Sequence, residues 1–159
     1  MCKSKPWGFW LIIGLLLLPV PAWAWSGKVT SIQGGDIIRV RKGHGKVPVR
    51  LYGIDCPEKG QAFGKKAKQF TSDMVLGKVV EVVRVPGDRY GRAFVAVGKR
   101  ILNEELVKAG YAWVYLKYCE YPGCETWESL QMKARTDKLG LWADPNPIPP
   151  WEFRRQRSE

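Results

Sequence analysis

The stretch Gly27-Lys28-Val29-Thr30-Ser31-Ile32-Gln33-Gly34-Gly35-Asp36-Ile37-Ile38-Arg39-Val40-Arg41 decides the fold. Two β-rich runs, 27–33 and 36–41, are joined by a Gly-Gly pair, which is typical of a hairpin connection. A second turn at 42–46 leads into another run at 47–54. The sequence therefore predicts three successive strands.

The hydrophobic period then changes from two residues to between three and four. Apolar residues at spacings of four, three and four form the stripe of one helix: Phe63, Ala67, Phe70 and Met74. Gly77 ends this helix as a left-handed cap. Residues 78–85 have the strongest strand pattern of the chain, 86–88 turn it, and 92–97 run back. One helix between the third and fourth of five short strands is the arrangement of an OB barrel.

The remainder predicts two further helices. Asn103 is a suitable N-cap for a helix that Gly110 closes, and 111–115 are short and extended. A last helix carries Trp127, Leu130 and Ala134 and ends before Gly140. We therefore predict an α+β, mainly β fold, a five-stranded OB barrel with about three helices. Its domain spans 25–144, followed by a Pro-rich and basic tail at 145–159, of which 145–150 should be extended.

Residues 1–24 have the pattern of a signal peptide. Lys3 and Lys5 precede a long apolar run, two prolines break the run, and Ala22-Trp23-Ala24 is a small-x-small cleavage site. The alternative is an uncleaved anchor, because the apolar run is just long enough to cross a bilayer. With the lysines inside, the domain lies outside the cytoplasm in either case. We expect a periplasmic or secreted monomer with no stable membrane association after cleavage.

The charge balance points to a polyanionic partner. The 159 residues carry a formal net charge of +11, while 45% of them are apolar and eight are Trp, enough for a real core. Nucleic acid, acidic polysaccharide and an anionic membrane surface remain open as partners. The single histidine, His44, lies between two glycines in a turn. A His-dependent nuclease or a Ser-His hydrolase is therefore excluded.

The cysteines predict one disulfide. Cys119 and Cys124 bracket Glu-Tyr-Pro-Gly, whose Pro-Gly pair can fold the chain back. In an oxidising compartment this pair should close a small disulfide. A zinc site is the rival interpretation, but no second cysteine pair or nearby histidine completes it.

Two carboxylates flank neighbouring strands. Asp36 opens the second strand and Asp55 leaves the third, so their side chains can lie together. Carboxylate oxygens with a carbonyl and waters suit Ca²⁺ or Mg²⁺. Pro57 restricts Cys56, and we predict that the Cys56 carbonyl, not its thiol, faces the ion. The alternative is that Asp36 and Asp55 are ordinary turn residues, which is the usual role of an Asp beside Gly or Pro.

Further residues complete a candidate phosphodiesterase site. Glu58 could accept a proton from a water that attacks phosphorus, and Arg50 and Arg92 could donate to phosphate oxygens as charge develops. Three tyrosines, Tyr90, Tyr115 and Tyr118, are candidates for stacking a base or donating to a terminal phosphate, or else for packing at the barrel edge.

These motifs together resemble the thermonuclease (staphylococcal nuclease-like) family. The matching segments are Gly35-Asp36, Arg50 to Glu58, Asp88-Arg89-Tyr90-Gly91-Arg92, Asn103 to Val107 and Leu139-Gly140-Leu141-Trp142. The resemblance implies an OB-fold enzyme that hydrolyses DNA and RNA with one Ca²⁺ ion. It assigns Asp36, Asp55 and the Cys56 carbonyl to the ion, and Arg50, Glu58 and Arg92 to catalysis.

The chain departs from the best-known family member at three places. Gly34 stands where that member has an acid near the ion, Cys56 replaces a threonine, and the loop at 59–64 is shorter. The cysteine pair and the basic tail have no counterpart there. We predict an exported Ca²⁺-dependent endonuclease. The alternative is a non-catalytic OB-fold module that binds single-stranded nucleic acid, and a third interpretation is a binder of acidic polysaccharide or membrane surface.

Overall fold

The computed structural model describes residues 24–120 and 123–158, without the side chain of Tyr118. The predicted leader at 1–24 lies outside the described residues except for Ala24, so it stays a prediction. Within the described part, no helix is long and apolar enough to cross a membrane.

The barrel strands follow the order that the hydrophobic pattern predicts. The strands are β1 (Ala24–Ile32), β2 (Ile37–Lys42), β3 (Gly45–Arg50), β4 (Ile54–Asp55), β5 (Val79–Arg84), β6 (Ala93–Val97), β7 (Arg100–Ile101) and β8 (Trp113–Val114). Six of them form one antiparallel sheet in the order β3-β2-β1-β5-β6-β7, and β4 pairs with β8. A parallel bridge between Leu51 and Ala93 brings the end of β3 to the start of β6. The sheet thus curls toward a barrel, as the OB prediction requires, without a continuous closing ladder.

The third predicted strand is divided in two. The run at 47–54 leaves the sheet after Arg50, turns at Gly53, whose φ is 71°, and resumes as β4. A Cβ on Gly53 would lie 2.6 Å from the Cys119 sulfur, so only glycine fits. This break directs Asp55 away from β3 and toward β8.

Four α-helices lie within the described residues. They are α1 (Gly64–Val75), α2 (Leu102–Lys108), α3 (Cys124–Thr136) and α4 (Pro150–Gln156). The first three were predicted, and Gly77 and Gly110 end α1 and α2 with φ values of 76° and 71°. The fourth lies in the segment predicted as a basic tail.

Asn103 is not the N-cap of α2. Ile101 occupies that position, and Asn103 is fully buried in the first turn. Its side chain donates to the carbonyls of Tyr52 and Ala93 and accepts from the Val95 amide. The predicted capping role is wrong. The Asn103 side chain instead makes hydrogen bonds to buried backbone groups between the end of β3 and the start of β6.

The core lies inside the curled sheet and under α2. Its fully buried side chains include Val29, Ile38, Val40, Leu51, Val80, Val82, Val95, Leu102, Leu106 and Val107. A smaller cluster of Ala134, Leu141 and Trp142 packs against Phe63 and Trp113. The predicted Cys119–Cys124 disulfide is present and joins the 3₁₀ turn Leu116–Tyr118 to α3.

Candidate active site

Asp36 and Asp55 meet at one arginine. Asp36 precedes β2, and Asp55 is the last residue of β4. The Nη2 atom of Arg50 lies 3.3 Å from Asp36 Oδ2 and 3.1 Å from Asp55 Oδ1. Both residues are buried: 6% of the surface of Asp36 and 1% of that of Asp55 is exposed. The structure therefore brings the two predicted metal ligands and one predicted catalytic arginine together.

Gly35 makes this approach possible. A Cβ at this position would lie 2.6 Å from the Cβ and 2.8 Å from the sulfur of Cys56. The turn is also held from the other side, since Thr71 of α1 donates its hydroxyl to the Gly35 carbonyl at 2.6 Å. The Cys56 thiol therefore packs against the turn inside the core, where burial raises its pKa well above the ordinary value. A protonated, buried thiol is no metal ligand.

The electrostatic environment of Asp36 suits a cation. Burial raises the pKa of this carboxyl from 3.8 to about 7; Arg50 opposes the rise, and Asp55 adds to it. Asp36 Oδ2 is buried without a hydrogen-bond partner, although Arg50 lies within ion-pair distance. An unbonded, buried carboxylate oxygen is costly unless a charge neutralises it.

Glu58 lies on a tightly packed loop next to this pair. Its backbone amide donates to the Gln61 side chain, and its carbonyl accepts from the Gln61 amide. A Cβ on Gly64, the first residue of α1, would lie 2.1 Å from the Glu58 carbonyl oxygen. The side chain itself is 37% exposed. The loop thus positions a carboxylate at the open side of the site.

A second arginine, Arg154 of α4, occupies the site. Its Nη2 lies 2.7 Å from Asp55 Oδ2, and its Nη1 contacts Asp55 Oδ1 at 3.2 Å and Glu58 Oε1 at 2.5 Å. The hydrogen bonds that Arg154 donates to Asp55 and Glu58 raise its pKa, so it stays charged. Sequence reasoning missed this residue. Proline at the helix start and the i, i+3 spacing of Trp151 and Arg154 were the available signals.

Arg92 is held by the loop that precedes β6. Its Nε and Nη2 donate to Asp88 Oδ1 at 2.8 and 2.5 Å, and its guanidinium lies over the rings of Tyr52 and Tyr90. Burial alone would raise the pKa of Asp88, but the hydrogen bonds from Arg92 outweigh it and lower that pKa. The next residue, Ala93, bridges Leu51 beside Arg50. The backbone of Arg92 therefore lies near Arg50 and its two carboxylates. Its guanidinium, however, binds Asp88.

The predicted tyrosines lie at two different places. Tyr90 is 70% exposed and lines a cavity of about 470 Å³ together with Tyr52, Asp88 and Arg92. Tyr115 stacks on Trp151 of α4, with ring centroids 4.7 Å apart and an interplanar angle of 6°. The side chain of Tyr118 lies outside the described structure, so its role stays a prediction.

The donor set fits a hard cation. Ca²⁺ takes carboxylate, carbonyl and water oxygens, and Asp36, Asp55 and the backbone of Cys56 lie together here. Among residues 24–120 and 123–158, no group of three or more His, Cys, Asp or Glu side chains could hold a metal ion. An ion at this place would therefore rely on two carboxylates, with backbone and water supplying the remaining oxygens.

Comparisons with known proteins identify the family of the chain. A family model described as Staphylococcal nuclease homologue matches residues 48–144. A micrococcal nuclease of Shigella flexneri is 37% identical over 153 residues, 89% of this chain and 87% of that protein. An endonuclease of Haemophilus influenzae is 42% identical over 81% of this chain and 72% of its own length.

A plant relative aligns over a shorter part. The staphylococcal-like nuclease CAN1 of Arabidopsis thaliana is 37% identical over 114 residues, 70% of this chain and 34% of that protein. The range 48–144 that the family model matches holds Arg50, Asp55 and Glu58, the strands β5 and β6 and the helices α1, α2 and α3, and it begins after Asp36. The chain belongs to the family of staphylococcal nuclease homologues, which confirms the predicted resemblance and the predicted enzyme class, a nuclease.

Proposed function

We propose that this protein is an exported, Ca²⁺-dependent nuclease that hydrolyses phosphodiester bonds of DNA and RNA. The observation that carries the proposal is the pair of buried carboxylates, Asp36 and Asp55, which meet at Arg50 with one Asp36 oxygen lacking a hydrogen bond. A purely binding module would gain nothing from buried acids beside a phosphate site. Family membership supports the same activity.

The carboxylates divide into two roles. Asp36, Asp55 and the Cys56 carbonyl would hold the ion, which when bound neutralises phosphate charge and increases the acidity of water. Glu58, exposed at the rim, accepts a proton from the attacking water. Burial of Asp36 and Asp55 keeps them in place, while exposure of Glu58 lets it reach water.

The arginines act on the phosphate. Arg50 has an exposed side-chain fraction of 43%, so part of its guanidinium can donate outward while Nη2 stays on the carboxylates. Arg92 needs to exchange at least one bond to Asp88 for a phosphate oxygen. Removing one such donor from a water-poor site costs about a hundredfold to a thousandfold in rate.

The substrate would also occupy the 470 Å³ cavity that Tyr90 and Arg92 line. Stacking of bases on Tyr90 and Tyr115 would hold a single strand, together with phosphate contacts. Without residues 1–24 the chain still has 24 Lys and Arg against 15 Asp and Glu, a net charge of +9. Tyr118 is the third tyrosine that we propose for such a contact. We propose that the enzyme acts as a monomer in the periplasm or medium after its leader is removed.

A cleavage assay tests this function. The protein without residues 1–24 is incubated with single-stranded DNA in Ca²⁺ and then in chelator, alongside Glu58→Gln and Arg92→Ala. We expect cleavage only with Ca²⁺, and a loss of about a hundredfold or more in each variant. Glu125→Gln and Arg100→Gln, exposed and remote, serve as matched controls and should stay within about threefold. Cleavage that persists in chelator, or in both site variants, rejects the mechanism.

A further inference from the structure

The short helix α4 is fastened over the active site. Trp151 stacks on Tyr115 and meets Trp113 edge to face at 5.7 Å. The segment that leads into the helix is also tied down, because Gln61 donates its side-chain amide to the Ile148 carbonyl at 2.7 Å. Since Trp151 and Arg154 are three residues apart, they lie on one helix face. Docking of the tryptophan therefore directs the arginine into the site.

Arg154 bonds to the oxygens that a metal ion would need. Its two terminal nitrogens contact both oxygens of Asp55, and one of them also contacts Glu58. With Arg50 on Asp55 Oδ1 as well, both Asp55 oxygens accept from guanidinium groups. Arg154 is thus a cation that the chain itself supplies to these acids.

A divalent ion and the Arg154 guanidinium exclude each other at Asp55 Oδ2, because Arg50 binds Oδ1 and leaves Oδ2 to one of them. Calcium binds carboxylate oxygens at about 2.3–2.6 Å, while Arg154 Nη2 lies 2.7 Å from Asp55 Oδ2. Two positive groups on the same carboxylate oxygens would compete for the same lone pairs and repel each other. We propose that Arg154 is a tethered competitor of calcium, and that the ion binds fully only when Arg154 leaves Asp55.

The proposal rests on the proposed function and adds regulation to the same site. While α4 is docked, Arg154 covers Asp55 and Glu58, and Trp151 covers Tyr115. Movement of the helix therefore releases three groups together: the metal ligand Asp55, the predicted base Glu58 and the predicted stacking residue Tyr115. The enzyme would therefore remain closed where calcium is scarce and open where it is abundant. The contacts of Arg154 favour this role over substrate binding, because carboxylates accept from both of its terminal nitrogens.

Calcium titration without nucleic acid tests the competition. Isothermal calorimetry of the leader-free protein compares native, Arg154→Gln and Arg155→Gln. Removing a charge-assisted but partly exposed pair should tighten calcium binding by about tenfold in Arg154→Gln. Arg155, the exposed neighbour, is the matched control and should change the Kd by less than about twofold.

A second variant and a second measurement keep the result independent of folding defects. Trp151→Ala removes the stacking contact that docks α4 while the arginine at 154 is kept in the sequence, and it should also tighten calcium binding. In the native protein, calcium should speed amide hydrogen exchange at 150–156, since the helix loses its anchor. An equal or weaker calcium affinity in Arg154→Gln, or slower exchange in α4 with calcium, overturns the inference.

The same experiment separates the two proposals. If the native protein binds calcium and cleaves DNA, while Arg154→Gln binds calcium as the native protein does, only the tethered competitor is rejected. If neither protein binds calcium, the metal-dependent function and the competitor are both rejected.

Discussion

At the scale of single residues, Asp36 shows most clearly how function opposes stability. Its carboxyl is buried, and this burial raises its pKa to about 7. At about 1.4 kcal/mol per pKa unit, a rise from 3.8 to about 7 corresponds to roughly 4 kcal/mol at neutral pH. The ionised form of this carboxyl therefore costs stability in the folded protein until a cation neutralises it.

This cost predicts a characteristic pH dependence. The folded-state pKa of Asp36 is above its unfolded value, so the folded protein binds more protons between pH 3.8 and about 7. Stability from this residue is complete below that window and is lost as the pH rises through it. In chelator, Asp36→Asn should be more stable than the native protein by roughly 4 kcal/mol at pH 7, with the gap closing toward pH 4.

Urea unfolding of both proteins across this pH range measures the gap, and calorimetry measures calcium binding. The variant should be more stable and yet lose the ion. A gap that is the same at every pH would show that Asp36 does not titrate in this window.

At the scale of elements, the site depends on close contacts that join separate segments. Gly35 brings the β1–β2 turn against Cys56, and Gly53 allows β4 to leave the sheet beside the disulfide. Gly110 and Gly140 pack backbone against backbone, since a Cβ on either would lie 2.2 Å from a carbonyl oxygen of the other segment. These contacts fix the ends of β4, α2 and α3 around Asp55.

The Cys119–Cys124 disulfide should stabilise this arrangement. It closes a small loop between the 3₁₀ turn and α3, and its sulfur packs against Gly53. Reduction should lower the free energy of unfolding by about 2 kcal/mol on the loop-entropy account. Thermal unfolding with and without reductant measures the effect.

The double variant Cys119→Ser, Cys124→Ser is the control. It should unfold at the lower temperature and show no further change in reductant. If reductant leaves the melting temperature of the native protein unchanged, the disulfide contributes nothing to stability.

At the scale of the whole molecule, charge governs how the enzyme meets its substrate. A net charge of +11 on 159 residues favours a polyanion through release of its counterions. We expect affinity for single-stranded DNA, measured by fluorescence anisotropy in chelator to prevent cleavage, to fall about tenfold or more between about 50 and about 200 mM salt. Affinity that does not change with salt would show that the charge plays no part in binding.

Much of this protein follows from its sequence alone. Period-two and helical patterns predicted the strands and three helices, and turn residues placed Asp36, Asp55 and Glu58 at neighbouring ends, because these signals are local. Pairing of the two cysteines across a Pro-Gly turn is equally local. The residue types alone predicted a Ca²⁺ or Mg²⁺ site and two phosphate-binding arginines, and the family resemblance implied the same residues and a single calcium ion.

Only the tertiary structure decided which charged groups meet. Asn103 looks like a helix cap in sequence, but the fold uses it across the gap between Tyr52 and Ala93. Arg154 lies 99 residues from Asp55, and the sequence predicts it as part of a basic tail. Docking of Trp151 on Tyr115 nevertheless places the arginine side chain in contact with Asp55 and Glu58. Local patterns determine where a chain turns and which faces are apolar. Contacts between distant segments depend on how these faces pack, and that packing gave Asp55 a second arginine.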